Sequence, residues 1–191
     1  MAPERPDFAD VYDAEVWHVY AFFGYRVRSR QTAEDLTQST FERALKAWSH
    51  FDPERASART WLTAIARNAL IDHHRQGRER REVAVDPSSA ALESQEAGED
   101  RYALGLAADL QAAIGALDDR DRELIALRFG ADLSGSEIAE LTGLSLSNVQ
   151  QILSRALRAL RSALESQPVP NGPMPATPAA AITRRRAPDP P

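Results

Sequence analysis

The sequence predicts an all-α protein: two small helical domains, a flexible acidic linker between them, and a disordered proline-rich C-terminal tail. Three observations lead there. Apolar residues recur at i, i+3 and i+4 along both halves, the helical period. The stretch AVDPSSAALESQEAGED, 84–100, lacks aromatic residues, contains Pro87 and Gly98 and is acidic, the composition of a linker that cannot bury a core. From Pro168 onward most of the chain's 12 prolines follow one another with almost no large apolar residue, so 167–191 reads as a tail that cannot pack. The expected boundaries are therefore 1–83 for the first domain, 84–100 for the linker, 101–166 for the second domain and 167–191 for the tail.

The elements follow in order. Phe8 to about Ser29 carries Val11, Tyr12, Val16, Val19, Tyr20, Phe23 and Val27 at mostly helical spacing and predicts a first, aromatic-rich helix. Thr32 followed by Asp35 has the form of a capping box, opening a helix that runs to about Ser49. Its apolar arc is Ala33, Thr37, Phe41, Ala44, Leu45 and Trp48; its polar arc is Asp35, Gln38, Ser39, Glu42 and Lys46. Asp52-Pro53 marks the turn of a loop over 50–59. Between Thr60 and Arg81, Trp61, Leu62, Ile65, Ala66 and Ala69 share a core-facing arc. Arg67, Ile71, His74, Arg75 and Arg78 share the other side. Gly77 is the expected end of that helix, with Arg80 and Arg81 continuing the positive charge beyond it.

In the second domain Leu106, Leu110, Ile114 and Leu117 predict one helix. Asp118 or Asp119 caps the next, which carries Leu124, Ile125 and Leu127 and ends near Gly130. Ser134 and Glu137 form a capping box for a short helix over 137–142, stopped by Gly143. Ser145 or Ser147 then caps a long helix to about Leu164. Its buried stripe is Val149, Ile152, Leu153, Ala156, Leu157, Leu160 and Leu164. Ser147, Gln151, Ser154, Arg155 and Arg158 face outward, flanked by Asn148 and Gln150. Helix, glycine turn and polar-fronted second helix are the parts of a helix-turn-helix, whose second helix enters the major groove start first. There amides pair with adenine edges, and arginine with guanine or phosphate.

Composition bounds the function. The chain has 191 residues and no cysteine, so disulfides, Cys-ligated zinc and thiol catalysis are excluded. No apolar run approaches the roughly 18 residues of a membrane span, and none follows Met1 as a secretory signal would, which predicts a cytoplasmic protein without membrane insertion. The net charge of −5 argues against coating DNA by bulk attraction. Basic residues gather in two patches instead, Arg67 to Arg81 and Arg155 to Arg161, so nucleic acid would bind locally.

The runs AEDLTQSTFERALKAW at 33–48, FDPERASARTWLTAIARNALIDHHRQ at 51–76 and LRFGADLSGSEIAELTGLSLSNVQQILSRALRALR at 127–161, in this order and spacing, resemble a bacterial RNA polymerase sigma factor of the extracytoplasmic-function (ECF) type. The resemblance implies a transcription initiation factor, without enzyme activity or cofactor, whose partners are core RNA polymerase, promoter DNA and an anti-sigma factor. Its first domain would be sigma region 2, which holds polymerase through Asp35, Gln38 and Glu42 and opens the minus-ten element. The minus-ten contacts implied are Phe51, Arg59, Trp61, Arg67, Asn68, His74, Arg75 and Arg78, with a flipped base captured near 51–59. Its second domain would be region 4, reading the minus-thirty-five element with Ser147, Asn148, Gln150, Gln151, Ser154, Arg155 and Arg158.

The chain departs from many members at the start of the reading helix, where Asn148-Val149-Gln150-Gln151-Ile152 replaces a Thr-Val-Lys-Ser-Arg-like run. That exchanges charge-assisted contacts for amide pairing and alters the expected target. Two rivals stand beside this reading. A ligand-sensing helix-turn-helix regulator would need no polymerase-binding face, against the Asp35 stripe. A metallophosphoesterase is suggested by Asp72-His73-His74, but consecutive helical residues point about 100° apart and do not converge on one ion.

Overall fold

In the computed structural model the described residues are 5–83, 104 and 106–166, with side chains described outside 80–83. The expected linker at 84–100 and tail at 167–191 lie outside them. The elements are α1 (Phe8–Arg26), α2 (Arg30–Ala47), a 3-10 turn (Trp48–His50), α3 (Ala58–Val83), α4 (Ala108–Ala116), α5 (Asp119–Ile125), a π-turn (Ala126–Gly130), α6 (Gly135–Thr142) and α7 (Leu146–Glu165). The described residues contain no strand. No helix among them is long and apolar enough to cross a membrane.

The first three helices pack on one another. Asp7 caps α1 by accepting from the Ala9 amide. Ser29 caps α2 by accepting from the Thr32 amide, so the start of this helix is three residues earlier than the Thr32–Asp35 box implied. Ala33, Leu36, Thr37, Thr40, Phe41 and Ala44 form its buried face. The Thr37 and Thr40 hydroxyls donate to the Ala33 and Leu36 carbonyls at 2.7 Å each, which lets two polar side chains sit in the core. Leu45, expected on that face, is 58% exposed, while Leu36 takes the core place. Beyond α2, Trp48 stacks on Phe51 at 4.7 Å and meets Trp61 and Phe8 edge-on at 5.7 and 5.1 Å, closing the end of the bundle with aromatic rings.

α3 runs through Gly77 rather than ending there. A glycine in a helix interior costs about 1 kcal/mol relative to alanine, too little to stop a helix supported on both sides. Arg75 reaches Asp72 at 3.7 Å and Glu79 at 3.8 Å, bracketing the glycine with i, i+3 and i, i+4 pairs.

In the second domain Asp118 caps α5 by accepting from the Asp121 amide. Arg122 donates to the Ile114, Gly115 and Leu117 carbonyls at 3.2, 2.9 and 2.7 Å, satisfying acceptors that the end of α4 leaves open. The Ser134–Glu137 capping box is formed on both sides and opens α6 at Gly135; Gly143 ends it at φ 71°, the left-handed region that favours glycine. Ser145 caps α7. Val149, Ile152, Ala156 and Leu160 are its buried stripe, whereas Leu157 is 45% exposed.

The two halves share one core. Val19, Phe22 and Phe23 of α1 belong to the same buried cluster as Leu124, Ala126, Leu127, Ala131 and Leu133. The contact is closest at Gly130, where a Cβ would lie 2.8 Å from the backbone N and Cα of Phe22, so only glycine lets the π-turn reach α1. α1 is therefore covered on two sides, by α2 and α3 on one and by the π-turn on the other.

Candidate nucleic-acid interface

Three surfaces carry the expected site residues. The first is the polar stripe of α2, where Asp35, Gln38 and Glu42 are all exposed. Gln31 donates to Asp35 at 2.8 Å and Gln38 to Glu42 at 2.9 Å, both one helical turn apart, so the stripe is ordered within its own helix. It offers an acid, an amide and an acid along one line of the helix.

The second surface is the 51–57 loop with the outer face of α3. Asn68, His74, Arg75 and Arg78 are exposed along it. Partial desolvation, with His73 and the Arg26 guanidinium close by, holds His74 below its ordinary value of 6.5, so the imidazole is neutral near pH 7 and offers one donor and one acceptor. Phe51 differs from expectation: it is 2% exposed, stacked on Trp48 and tilted against Trp61, so its ring lies in the core beneath the loop rather than on the surface. Trp61 is half-buried in the same cluster.

Two of the arginines expected to meet DNA are engaged by carboxylates. Arg59 donates from Nε to Glu15 at 2.8 Å and from Nη1 to Asp132 at 3.0 Å. Arg67 donates from Nε to Glu123 at 2.6 Å and from Nη1 to the Leu141 carbonyl at 3.4 Å. Glu137 adds a further bridge. One of its oxygens accepts from Thr60 at 2.9 Å and the other from the Ser134 amide, as the cap requires. The Ser134 backbone and hydroxyl together hold the Glu137 carboxyl below its ordinary value. Glu123, Asp132 and Glu137 had no signal in the sequence beyond the local cap, because their partners lie 56, 73 and 77 positions away.

The third surface is the start and outer face of α7. Ser147, Asn148, Gln150, Gln151, Ser154 and Arg158 are exposed together, and the two glutamines lead the face. Arg155 is exposed too, but its guanidinium is already committed. Nε donates to one oxygen of Asp121 at 3.1 Å and Nη2 to the other, with Asp118 at 3.8 Å. Asp121 is 5% exposed, and a carboxylate so buried requires a paired cation. Arg155 thus ties α7 to α5 through Asp121, whereas Arg158 on the same face is turned to solvent.

These arrangements agree with what the chain is similar to. Residues 11–81 match the sigma-70 region 2 model and residues 113–162 the sigma-70 region 4 model. The ECF RNA polymerase sigma factor BldN of Streptomyces coelicolor is 35% identical over 161 residues, 84% of this chain and 61% of BldN. The ECF RNA polymerase sigma factor SigX of Bacillus subtilis is 30% identical over 163 residues, 83% of this chain and 84% of SigX. The same fold is seen in the sigma factor RpoE of Bartonella quintana, solved with the anti-sigma factor NepR, at a TM-score of 0.66 and 24% identity over 85% of this chain and 99% of that one. A region 2 bundle, a region 4 helix-turn-helix and relatives of this kind together make the chain a member of the sigma-70 family of RNA polymerase sigma factors, in its ECF branch.

Proposed function

We propose that the chain binds core RNA polymerase and directs it to specific promoters, its first domain opening the minus-ten element and its second reading the minus-thirty-five element. The observation that carries this is the α2 stripe of Asp35, Gln38 and Glu42, exposed and hydrogen-bonded only along its own helix in the bonds described above. A free-standing helix-turn-helix regulator has no use for such a face. A basic partner surface on polymerase supplies its complement.

In this reading Asn68, His74, Arg75 and Arg78 line the path of the melted strand, and Arg59, Trp61 and Arg67 join them. Ser147, Asn148, Gln150, Gln151, Ser154 and Arg158 read or hold the upstream element, the glutamines favouring adenine edges. The division at 84–100 separates the two modules. The chain acts by binding, in the cytoplasm; it performs no chemistry of its own and carries no cofactor. An anti-sigma factor is a further partner, as the Bartonella relative is described with one.

The test is a pair of substitutions, Asp35→Arg with Gln38→Ala, both on the exposed arc away from Phe41. Affinity for core polymerase should fall while the melting temperature holds. An unchanged affinity removes the interface and favours the regulator.

A further inference from the structure

We propose that the chain's own segment Arg184 to Pro191 docks on the outer side of α1, at a site made by the rings of Trp17 and Tyr20 and the carboxylates of Asp10 and Asp13. The inference is independent of the function above, since neither side of the contact belongs to the surfaces assigned there to polymerase or DNA.

The site is built from one helix. Trp17 is 62% exposed, more than any other large apolar side chain among the described residues. A single exposed apolar residue is ordinary on a protein surface. This one is paired, its ring 5.5 Å from that of the partly buried Tyr20. Asp13 precedes Trp17 by one turn and Asp10 by two, so helical spacing puts all four residues on the same side. Both carboxylates are exposed, without a hydrogen bond or ion pair among the described residues. Asp10 stands in the first turn, where the helix dipole favours an acid; Asp13 lies beyond it, and nothing in the described fold balances its charge. Two flat rings beside two uncompensated acids fit a ligand that is both basic and rich in proline. An arginine stacks on an aromatic face while its fork takes a carboxylate, and proline docks on exposed rings with little backbone entropy to lose.

Residues 184–191 have that chemistry. Arg184, Arg185 and Arg186 are followed by Pro188, Pro190 and Pro191, and Asp189 is the one acid between Gln167 and Pro191. The reach is sufficient. α7 ends at Glu165, and its Leu160 and Leu164 share a cluster with Tyr25 of α1. From Tyr25 back to Trp17 is about 12 Å along a helix. A flexible chain of the length from Ser166 to Arg184 has a root-mean-square span of about 23 Å. Such a tether holds the segment near the site at an effective concentration of about a millimolar, so contacts too weak to capture a free peptide capture this one.

The test uses the full-length chain. Because the sequence has no cysteine, Thr183→Cys carries a single bimane dye beside the arginines. Tryptophan quenches bimane on contact, and the other two tryptophans, Trp48 and Trp61, are packed with Phe51. The dye should be quenched in the parent, and Trp17→Leu should abolish that quenching. Asp10→Lys with Asp13→Lys should relieve it as well. Adding Arg184→Glu, Arg185→Glu and Arg186→Glu to the lysine variant should bring part of it back, since the exchanged charges attract again. Raising the salt from about 0.01 to 1 M, which shortens the screening length from about 30 to 3 Å, should weaken the quenching of the parent.

Unchanged emission in Trp17→Leu would show that the segment does not touch α1 and would end the proposal. Quenching that deepens with protein concentration would place the segment on a second copy and overturn the contact within one chain. Quenching that survives both the lysine variant and the salt series would remove the charge pairing by which the site is recognised. The three-arginine variant alone, which leaves the helices untouched, should also relieve the quenching, and it decides the matter should either α1 variant lose its helical circular dichroism.

Discussion

Replacing Phe51 by alanine separates a core residue from a DNA contact. Its ring is 2% exposed, stacked 4.7 Å from Trp48 and tilted 5.3 Å from Trp61, and its carbonyl accepts from Arg5 Nε at 3.2 Å. Truncating a buried phenylalanine costs about 3–5 kcal/mol, and each aromatic pair contributes about 0.5–1.5 kcal/mol beyond burial. Because Phe51 sits at the edge of a loop that can partly collapse, the lower end applies, about 3 kcal/mol. For a chain of this size that corresponds to a fall in melting temperature of about 6–12 °C. Phe51→Leu keeps most of the apolar volume and loses only the ring contacts, so it should cost about 1–1.5 kcal/mol. Urea melts followed by circular dichroism give these values. Promoter opening by reconstituted holoenzyme, probed by permanganate at a temperature where each variant is folded, gives the other axis. Opening should track the folded fraction. If Phe51→Ala loses under about 1 kcal/mol yet abolishes opening, the ring leaves its slot to meet DNA, and its assignment to the core is wrong.

On α7, Gln151→Ala should relax preference at one or two upstream positions by about 1–3 kcal/mol, the scale of a base contact; an unchanged profile across a promoter library would misplace the reading face. Arg158→Ala should lower the salt slope of holoenzyme binding by about 0.9, the release of one phosphate contact. Arg155→Ala should leave that slope intact and lower the melting temperature instead, since it strands Asp121; the opposite pattern would restore Arg155 to the phosphate. Glu137, held below its ordinary value of 4.5 by Ser134, contributes stability that is present above that value and lost as pH falls through its lowered one. Glu137→Gln should therefore flatten the acid limb of a melting-temperature profile below about pH 4.5, and an unaltered limb would show the cap to be silent.

Local chemistry was read well from the sequence. Ser134 with Glu137, Gly143 and Ser145 are short-range signals, each completed within a few residues, and each sits where its chemistry requires. The α2 stripe was equally plain, because a helix with one covered side sorts its residues by period. The failures have a common cause. Leu45 and Leu157 were sorted by period alone, and which side of a helix is covered depends on partners far along the chain. Ser29 displaced Thr32 as cap because its hydroxyl, three residues earlier, accepts from the Thr32 amide and so draws Thr32 into the first turn, and sequence spacing ranks such neighbours poorly. Gly77 read as a stop because glycine ends helices when nothing supports them, and here Arg75, Asp72 and Glu79 do. At the candidate site, the basic residues were legible as a patch. Their acidic partners were not, since Arg59 with Asp132 and Arg67 with Glu123 join positions more than fifty residues apart.

The double coverage of α1 has a bearing on how such proteins can be recombined. Phe22 faces the other module and Gly130 must stay without a side chain opposite it, so the two halves of this chain carry a fitted pair of surfaces as well as separate tasks. Grafting the second half of a relative onto this first half would carry over the donor's whole α7 reading helix and still set an unmatched side chain against the Phe22 backbone wherever the donor lacks that glycine. The hybrid would keep the donor's helix-turn-helix and lose the fit between its halves.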